Sequence, residues 1–211
     1  KPVAVYINGR YWGMYWLSEN QNEDHFASAY DFDRDDIEVV RRNSTAICGT
    51  NEEFLDVRKF ARTHDMGIEE NYNEFIGMVD EQAFIDYIIV QTFINNWDMY
   101  NQKYWRTVDY EHEWRPLLFD LDYAFRYGGG PSYLGSYFSR YGVTWTGGNL
   151  SKTNMDIPYA LLQNEGWKQA FIERYAYILQ TTFAPETIVA LFDSMVGEVE
   201  VEMDRHVKRW H

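Results

Sequence analysis

Residues 117–125 read LLFDLDYAF and place two carboxylates, Asp120 and Asp122, inside an apolar run. A short run rich in large apolar and aromatic residues predicts a β-strand. Because strand side chains alternate between two faces, Leu118, Asp120 and Asp122 are expected on the same face. Two like charges on one face of a buried strand repel each other and lose hydration. The pattern therefore predicts a cation between the two carboxylates, or a proton on one of them.

The flanking segments predict a helix followed by a β-hairpin. Asp80 is a suitable N-cap for a helix that runs to about residue 94, because large apolar residues repeat at helical spacing after it. A strand is predicted over 103–108, and its antiparallel partner over 114–122. Antiparallel pairing brings the start of the first strand close to the end of the second. The residues expected to converge there are Asp98, Asn101, Asp120 and Asp122.

This polar set has the composition of a divalent-metal site. Carboxylate and amide oxygens are the ligands that Mg²⁺ and Mn²⁺ prefer, together with water and substrate phosphates. Phosphoryl transfer uses an Asp that orients the hydroxyl, then a metal-binding Asn, then a metal-binding Asp after a hairpin. For any single carboxylate the competing interpretation is a turn cap at the surface. For Asp120 and Asp122 a metal site is favoured, since paired buried carboxylates are otherwise costly.

The rest of the chain predicts an α+β domain. Strands over 3–7 and 11–17 flank Asn8-Gly9, which suits a tight hairpin turn. A strand over 37–40 ends in Arg41 and Arg42. Residues 126–155 are rich in glycine and predict a long loop. Further helices are predicted over 51–63 and 70–78, from Asp156 as N-cap with Pro158 in the first turn, over 166–181, and from Pro185 onward.

Composition narrows the classes of function. The chain has 211 residues and a formal charge of −14, which argues against a broad nucleic-acid surface. Cys48 is the single cysteine and the five histidines are scattered, so no zinc motif is predicted. No apolar run reaches the roughly 18 residues of a membrane span. The chain begins directly on a predicted strand, which indicates a piece of a longer protein, and it is expected to be a monomer.

Several motifs together resemble the CotH kinase family, the atypical protein kinases similar to spore coat protein H. The resemblance includes the N-terminal hairpin, the central helix with its following loop, the Asp-Leu-Asp segment, and the C-terminal helices closing with Arg205-His206 and Trp210. The corresponding residues are 5–19, 80–106, 114–122 and 161–210.

The resemblance implies an atypical protein-kinase-like fold. A small β-rich N-terminal lobe is expected over 1–50, and a larger, mostly helical C-terminal lobe over 51–211. The family binds ATP with Mg²⁺ or Mn²⁺ and phosphorylates Ser or Thr of protein substrates. The resemblance therefore implies a bacterial kinase acting on secreted or spore-coat proteins, at an extracellular position or at the cell or spore surface.

Carried over by position, the resemblance assigns roles to individual residues. Asp98 resembles the catalytic aspartate, and Asn101 the asparagine that binds metal at the nucleotide. Asp120 and Asp122 match the Asp-x-Asp metal motif. Arg41 or Arg42 lies where a phosphate-contacting basic residue is expected, although a solvated strand end is the favoured interpretation of both.

Two departures from the kinase pattern leave an alternative open. The separation of Asp98 from Asn101 is shorter than kinase spacing, and a different alignment places Asn96 in the catalytic position, where an amide cannot accept a proton. No glycine-rich phosphate loop is found near the N-terminus either. The alternative function is a catalytically inactive, kinase-like binding or scaffold module of an extracellular multidomain protein.

Overall fold

The structure, a computed structural model, describes residues 1–42, 44–96, 101–109, 112–125 and 155–211, and the backbone alone at 143–144 and 147–148. The fold is α+β, as the sequence predicts. The strands are β1 (Pro2–Ile7), β2 (Arg10–Trp16), β3 (Ile37–Arg41), β4 (Thr45–Cys48), β5 (Lys103–Thr107), β6 (Arg115–Leu117), β7 (Val143–Thr144) and β8 (Gly147–Gly148). The helices are α1 (Glu23–Tyr30), α2 (Glu52–Thr63), α3 (Glu69–Phe75), α4 (Glu81–Phe93), α5 (Asp156–Leu161), α6 (Glu165–Gln180) and α7 (Pro185–Trp210).

The chain divides into two compact units, Lys1–Asn20 with Ala176–His211, and Gln21–Tyr175. The four-stranded sheet of the second unit takes β3 and β4 from before residue 50, and β5 and β6 from after it. The two lobes over 1–50 and 51–211 stay a prediction. Among the described helices, none has the length and apolar character needed to cross a membrane.

In the first unit, the N-terminal hairpin packs against α7. Asn8 and Gly9 both have positive φ, as a tight two-residue turn requires. The backbone N–H of Met14 donates to His206 Nδ1 at 3.0 Å, and the rings of Trp12 and Trp210 meet edge to face at 5.5 Å. These contacts join β2 to the end of α7.

In the second unit, the antiparallel sheet has the order β4-β3-β5-β6 and is covered on both faces. On one face the Trp105 ring stacks on Phe26 of α1, with ring centroids 4.3 Å apart. On the other, the Tyr104 ring packs 4.7 Å from Phe54 of α2 and 6.1 Å from Phe84 of α4. Strand β3 is buried over Ile37–Val40 because it lies inside the sheet and between these layers.

Two charge networks connect α2 to its surroundings. Arg106 of β5 binds Glu38 of β3 at 2.7 Å and also binds Glu53 of α2. Asp156, at the start of α5, accepts from Arg58 Nε at 2.7 Å and from Arg62 Nη2 at 2.8 Å. Removing one member of a buried ion pair leaves an uncompensated charge and lowers the free energy of unfolding by about 3–5 kcal/mol.

The strand predicted over 114–122 is wrong beyond Leu117. Strand β5 begins at Lys103, and Lys103 pairs with Leu117. Among the described strands, none therefore continues alongside residues 118–122. Asp120 has φ +56°, a left-handed conformation that no strand contains. The prediction that Asp120 and Asp122 lie on one face of a strand is therefore also wrong. Asp122 is exposed in a turn over 122–125, and Asp120 is half-buried.

Asp156 was expected to cap a helix, and this is also wrong. The N-cap residue of α5 is Met155, and Asp156 is the first residue of the helix. Its carboxylate binds the two arginines of α2 instead, because those guanidinium groups are stronger hydrogen-bond partners than a backbone N–H.

The predicted cap of α4 is confirmed and provides a test of this packing. Asp80 accepts from the Ala83 N–H at 2.9 Å and from Arg115 Nε at 2.7 Å. Replacing Asp80 with Ala should lower the free energy of unfolding by about 1–2 kcal/mol, measured by urea denaturation. Asp80→Asn keeps a capping oxygen and should lose less. Equal losses in the two variants would show that the cap contributes nothing.

The pair Glu53–Arg106 makes stability depend on pH. The hydrogen bond from Arg106 holds the pKa of the Glu53 carboxyl below its usual value, against the opposing effect of burial. A depressed folded-state pKa contributes stability above the unfolded pKa of about 4.3, and this contribution disappears as pH falls through the folded value. The difference in the free energy of unfolding between wild type and Glu53→Gln, measured by urea denaturation, should therefore be largest near pH 7 and should shrink as the pH falls below about 4. A constant difference would contradict the pairing.

Candidate active site

Three polar side chains from distant segments form a continuous chain of hydrogen bonds. Arg42 donates to Asn101 Oδ1 from Nε at 2.9 Å and from Nη2 at 2.6 Å. Asn101 Nδ2 in turn donates to Asp120 Oδ2 at 2.6 Å. The Asn101 amide therefore points its oxygen toward Arg42 and its nitrogen toward Asp120, and this orientation satisfies both neighbours. The predicted approach of Asn101 to Asp120 is confirmed.

The backbone around this chain is strained at three non-glycine residues. Arg42 (φ +53°), Ser44 (φ +72°) and Asp120 (φ +56°) all lie in the left-handed region. Each such residue costs roughly 1–2 kcal/mol relative to an ordinary conformation. Strain of this kind persists where surrounding contacts hold it, and it is common at functional sites.

Tertiary bonds hold the strained corner between β3 and β4. The Arg42 N–H donates to the Gln102 carbonyl at 2.8 Å. The buried Ser44 hydroxyl accepts from Arg58 Nη1 at 3.0 Å, and Arg58 is itself bound to Asp156. The guanidinium of Arg42 is thus positioned over Asn101 by contacts that reach α2 and α5.

The carboxylates partly fit a divalent metal. Mg²⁺ is commonly held by one or two carboxylates together with substrate phosphates, so Asp120 and Asp122 are suitable donors. Asn101 Oδ1 accepts from Arg42, so this oxygen is already engaged. Within the described residues, no group of three or more His, Cys, Asp or Glu side chains is arranged to hold a metal. Any metal there would depend on the two carboxylates and on ligands from the substrate.

Of the two candidates for the catalytic position, the structure describes Asn96 and not Asp98. Asp98 lies outside the described residues, so its predicted role stays a prediction. Asn96 is fully buried at the end of α4 and donates from Nδ2 to Gln91 Oε1 at 2.9 Å. Its side chain therefore belongs to the interior contacts of the helix end.

The cationic groups of Arg41 and Lys103 both lie close to the aromatic ring of Phe119. The Lys103 Nζ is 4.1 Å, and the Arg41 guanidinium carbon 5.2 Å, from the ring centroid. Burial, and secondarily the positive charge of Arg41, lower the pKa of Lys103. Lys103 is not among the site residues predicted from the sequence. Its position two residues after Asn101 places it near the predicted site, but nothing in the neighbouring sequence indicates that it is buried.

A cavity of about 500 Å³ lies elsewhere in this unit, between α2 and the end of the β5–β6 hairpin. Its lining includes Val57, Phe60 and Trp114, and none of the site residues predicted from the sequence. A cavity of this volume falls within the size range of ligand pockets. The charged groups that suit a metal and phosphates lie instead around Asn101 and Asp120.

Comparison with known proteins agrees with the motifs. The profile of the family described as CotH kinase protein matches residues 1–211, the whole length of the chain. The chain belongs to the CotH kinase family. No curated protein and no solved structure matched the chain. Membership of the CotH kinase family supports a kinase-like fold and an atypical kinase activity that uses ATP.

The left-handed conformation of Asp120 can be tested with a matched pair of variants. Asp120→Gly and Asp120→Ala both remove the carboxylate, but only glycine adopts positive φ without a steric cost. The free energy of unfolding of the glycine variant should exceed that of the alanine variant by about 1 kcal/mol, measured by urea denaturation. An alanine variant of equal or greater stability would place residue 120 in an ordinary conformation.

Proposed function

We propose that this member of the CotH kinase family is a metal-dependent protein kinase that transfers the γ-phosphate of ATP to Ser or Thr. The proposed acceptors are secreted, spore-coat or cell-surface proteins, and the proposed location is extracellular or at the cell or spore surface. The observation that supports the proposal best is the hydrogen-bonded chain from Arg42 through Asn101 to Asp120. It gathers a cation, an amide and a carboxylate, which are the parts that phosphoryl transfer requires.

Asp120 and Asp122 are the proposed metal-binding residues. When bound, a Mg²⁺ or Mn²⁺ ion would neutralise the negative charge that the phosphate oxygens carry during transfer. The hydrogen bond from Asn101 Nδ2 to Asp120 Oδ2 holds the Asp120 carboxylate in one orientation. Arg42 donates to the oxygen of the same amide, and its guanidinium would add positive charge beside the phosphates.

Asp98 is the proposed group that receives the proton of the acceptor. The acceptor hydroxyl oxygen forms a bond to the γ-phosphorus, and the bond from that phosphorus to the β–γ bridging oxygen breaks. ADP leaves, and the hydroxyl proton passes to the Asp98 carboxylate. Such positioning of the hydroxyl by an aspartate is the usual contribution of a protein kinase at this step.

The proposal predicts that Asp120→Asn abolishes phosphate transfer while the protein still folds. Asparagine has the same shape and tolerates left-handed backbone, but it removes the charge that binds metal. Transfer from labelled ATP to a Ser-rich acceptor, with Mg²⁺ or Mn²⁺, should fall by at least about a hundredfold. Asp98→Asn should cause a loss of similar size.

The matched control is Asp193→Asn, which changes an exposed carboxylate on α7. Its activity should equal that of wild type. Equal labelling by wild type and Asp120→Asn would reject the metal role. Wild type that binds ATP but transfers nothing would instead support the inactive binding module.

A further inference from the structure

Two positive side chains face each other directly across strands β3 and β5. Arg41 and Lys103 are register partners in the antiparallel pair. Like charges at directly opposed positions of a sheet destabilise it. Lys103 is only 7% exposed, so water screens this repulsion poorly. The arrangement therefore has an energetic cost that the fold itself does not require.

Neither cation is neutralised within the described part of the chain. The Lys103 ammonium donates to one backbone carbonyl, that of Gln21, at 3.1 Å. The Arg41 Nε is buried and has no hydrogen-bond acceptor. Among the described residues, neither side chain forms an ion pair with a carboxylate. Buried donors ordinarily have an acceptor and buried charges a counter-charge, so these two side chains are suited to a partner of opposite charge.

The pair lies next to the chain of hydrogen bonds described above. Arg41 precedes Arg42, Lys103 comes two residues after Asn101, and Phe119 precedes Asp120. The cations of Arg41 and Lys103 both approach the ring of Phe119. Phe119 thus joins the cationic pair to the segment that carries the two candidate metal-binding carboxylates.

We propose that Arg41 and Lys103 form a binding site for a phosphoryl group. A phosphoryl group carries up to two negative charges and several acceptor oxygens, which match two cations and the free Nε donor of Arg41. Its binding removes the repulsion between the two side chains. The inference rests on the proposed function and deepens it, because it adds Lys103 to Arg41, where the family resemblance already implies a phosphate contact. Binding by this pair requires neither a metal nor transfer. The phosphoryl group belongs either to a nucleotide or to a phosphorylated acceptor.

The direct test is calorimetric titration of the whole chain with sodium pyrophosphate, without divalent metal and at constant ionic strength. Wild type should bind. Lys103→Met keeps the aliphatic chain over Phe119 and removes the charge, and Arg41→Gln removes the second cation. Each should weaken binding roughly tenfold or more, the value of one charge-assisted hydrogen bond. Lys103→Arg keeps the charge and should restore binding to within a few-fold of wild type.

Lys59→Met is the matched control, because Lys59 is an exposed lysine on α2 in the same unit. It should bind pyrophosphate as wild type does. Thermal unfolding without pyrophosphate separates a binding role from a structural role. If Lys103 serves anion binding, Lys103→Met melts at or above the wild-type temperature, since the repulsion with Arg41 is gone. If Lys103 serves only to hold the Gln21 carbonyl, the variant melts lower and still binds.

Two further titrations identify the source of the phosphoryl group. Tighter binding of ATP than of a phosphoserine peptide supports a nucleotide, and the reverse supports a phosphorylated acceptor. The inference is overturned if wild type does not bind pyrophosphate, or if Lys103→Met and Arg41→Gln both keep wild-type affinity. Failure of the proposed kinase activity is distinct, because it appears as lost transfer with pyrophosphate binding intact.

Discussion

The pairing of β3 with β5 is the constraint on which the candidate site depends. Fifty-nine positions separate Arg42 from Asn101 in the chain, and this pairing brings their side chains into contact. The register matches Ile37 with Thr107 at one end and Arg41 with Lys103 at the other. A slip of one residue would turn every side chain of a strand to the opposite face. It would also separate Glu38 from Arg106, whose side chains form a buried ion pair at 2.7 Å.

Contacts away from the site make this register costly to lose. Arg106 of β5 forms ion pairs with Glu38 of β3 and with Glu53 of α2, and these contacts hold α2 against the sheet. A second network runs from Asp156 through Arg58 to Ser44. Ser44 lies in the strained corner that presents Arg42. The stability of the interior therefore offsets the conformational strain at the corner, as is common where a site is preorganised.

The distribution of charge matters more here than its total. A formal charge of −14 describes the chain as a whole, and it says nothing about the electrostatic potential at one position. Around Asn101 the acidic chain gathers Arg41, Arg42 and Lys103. Asp120 and Asp122 lie on the adjoining segment. Positive and negative groups this close together suit a metal–phosphate complex better than a metal ion or a phosphate alone. This agrees with membership of the CotH kinase family.

Elements defined by local interactions were predictable from the sequence. The Asn8-Gly9 turn and the Asp80 cap require only neighbouring residues, and both agree with the structure. The contact of Asn101 with Asp120 was also predictable, since it follows from the topology of one hairpin. The family was recognisable from motifs that occur together and in order.

Other features depend on residues distant in the chain, and only the tertiary structure decided them. The end of β6 at Leu117 is set by where its partner β5 begins, so the apolar run of residues 117–125 was misleading. The burial of Lys103 arises because Phe119 and the segment before α1 cover it. A lysine in a strand is ordinarily solvated, and its own sequence neighbours carry no signal of that cover. Sequence therefore determined the local elements and the family. Long-range packing determined which charged side chains, such as Arg41 and Lys103, lie close together and which of them are shielded from water.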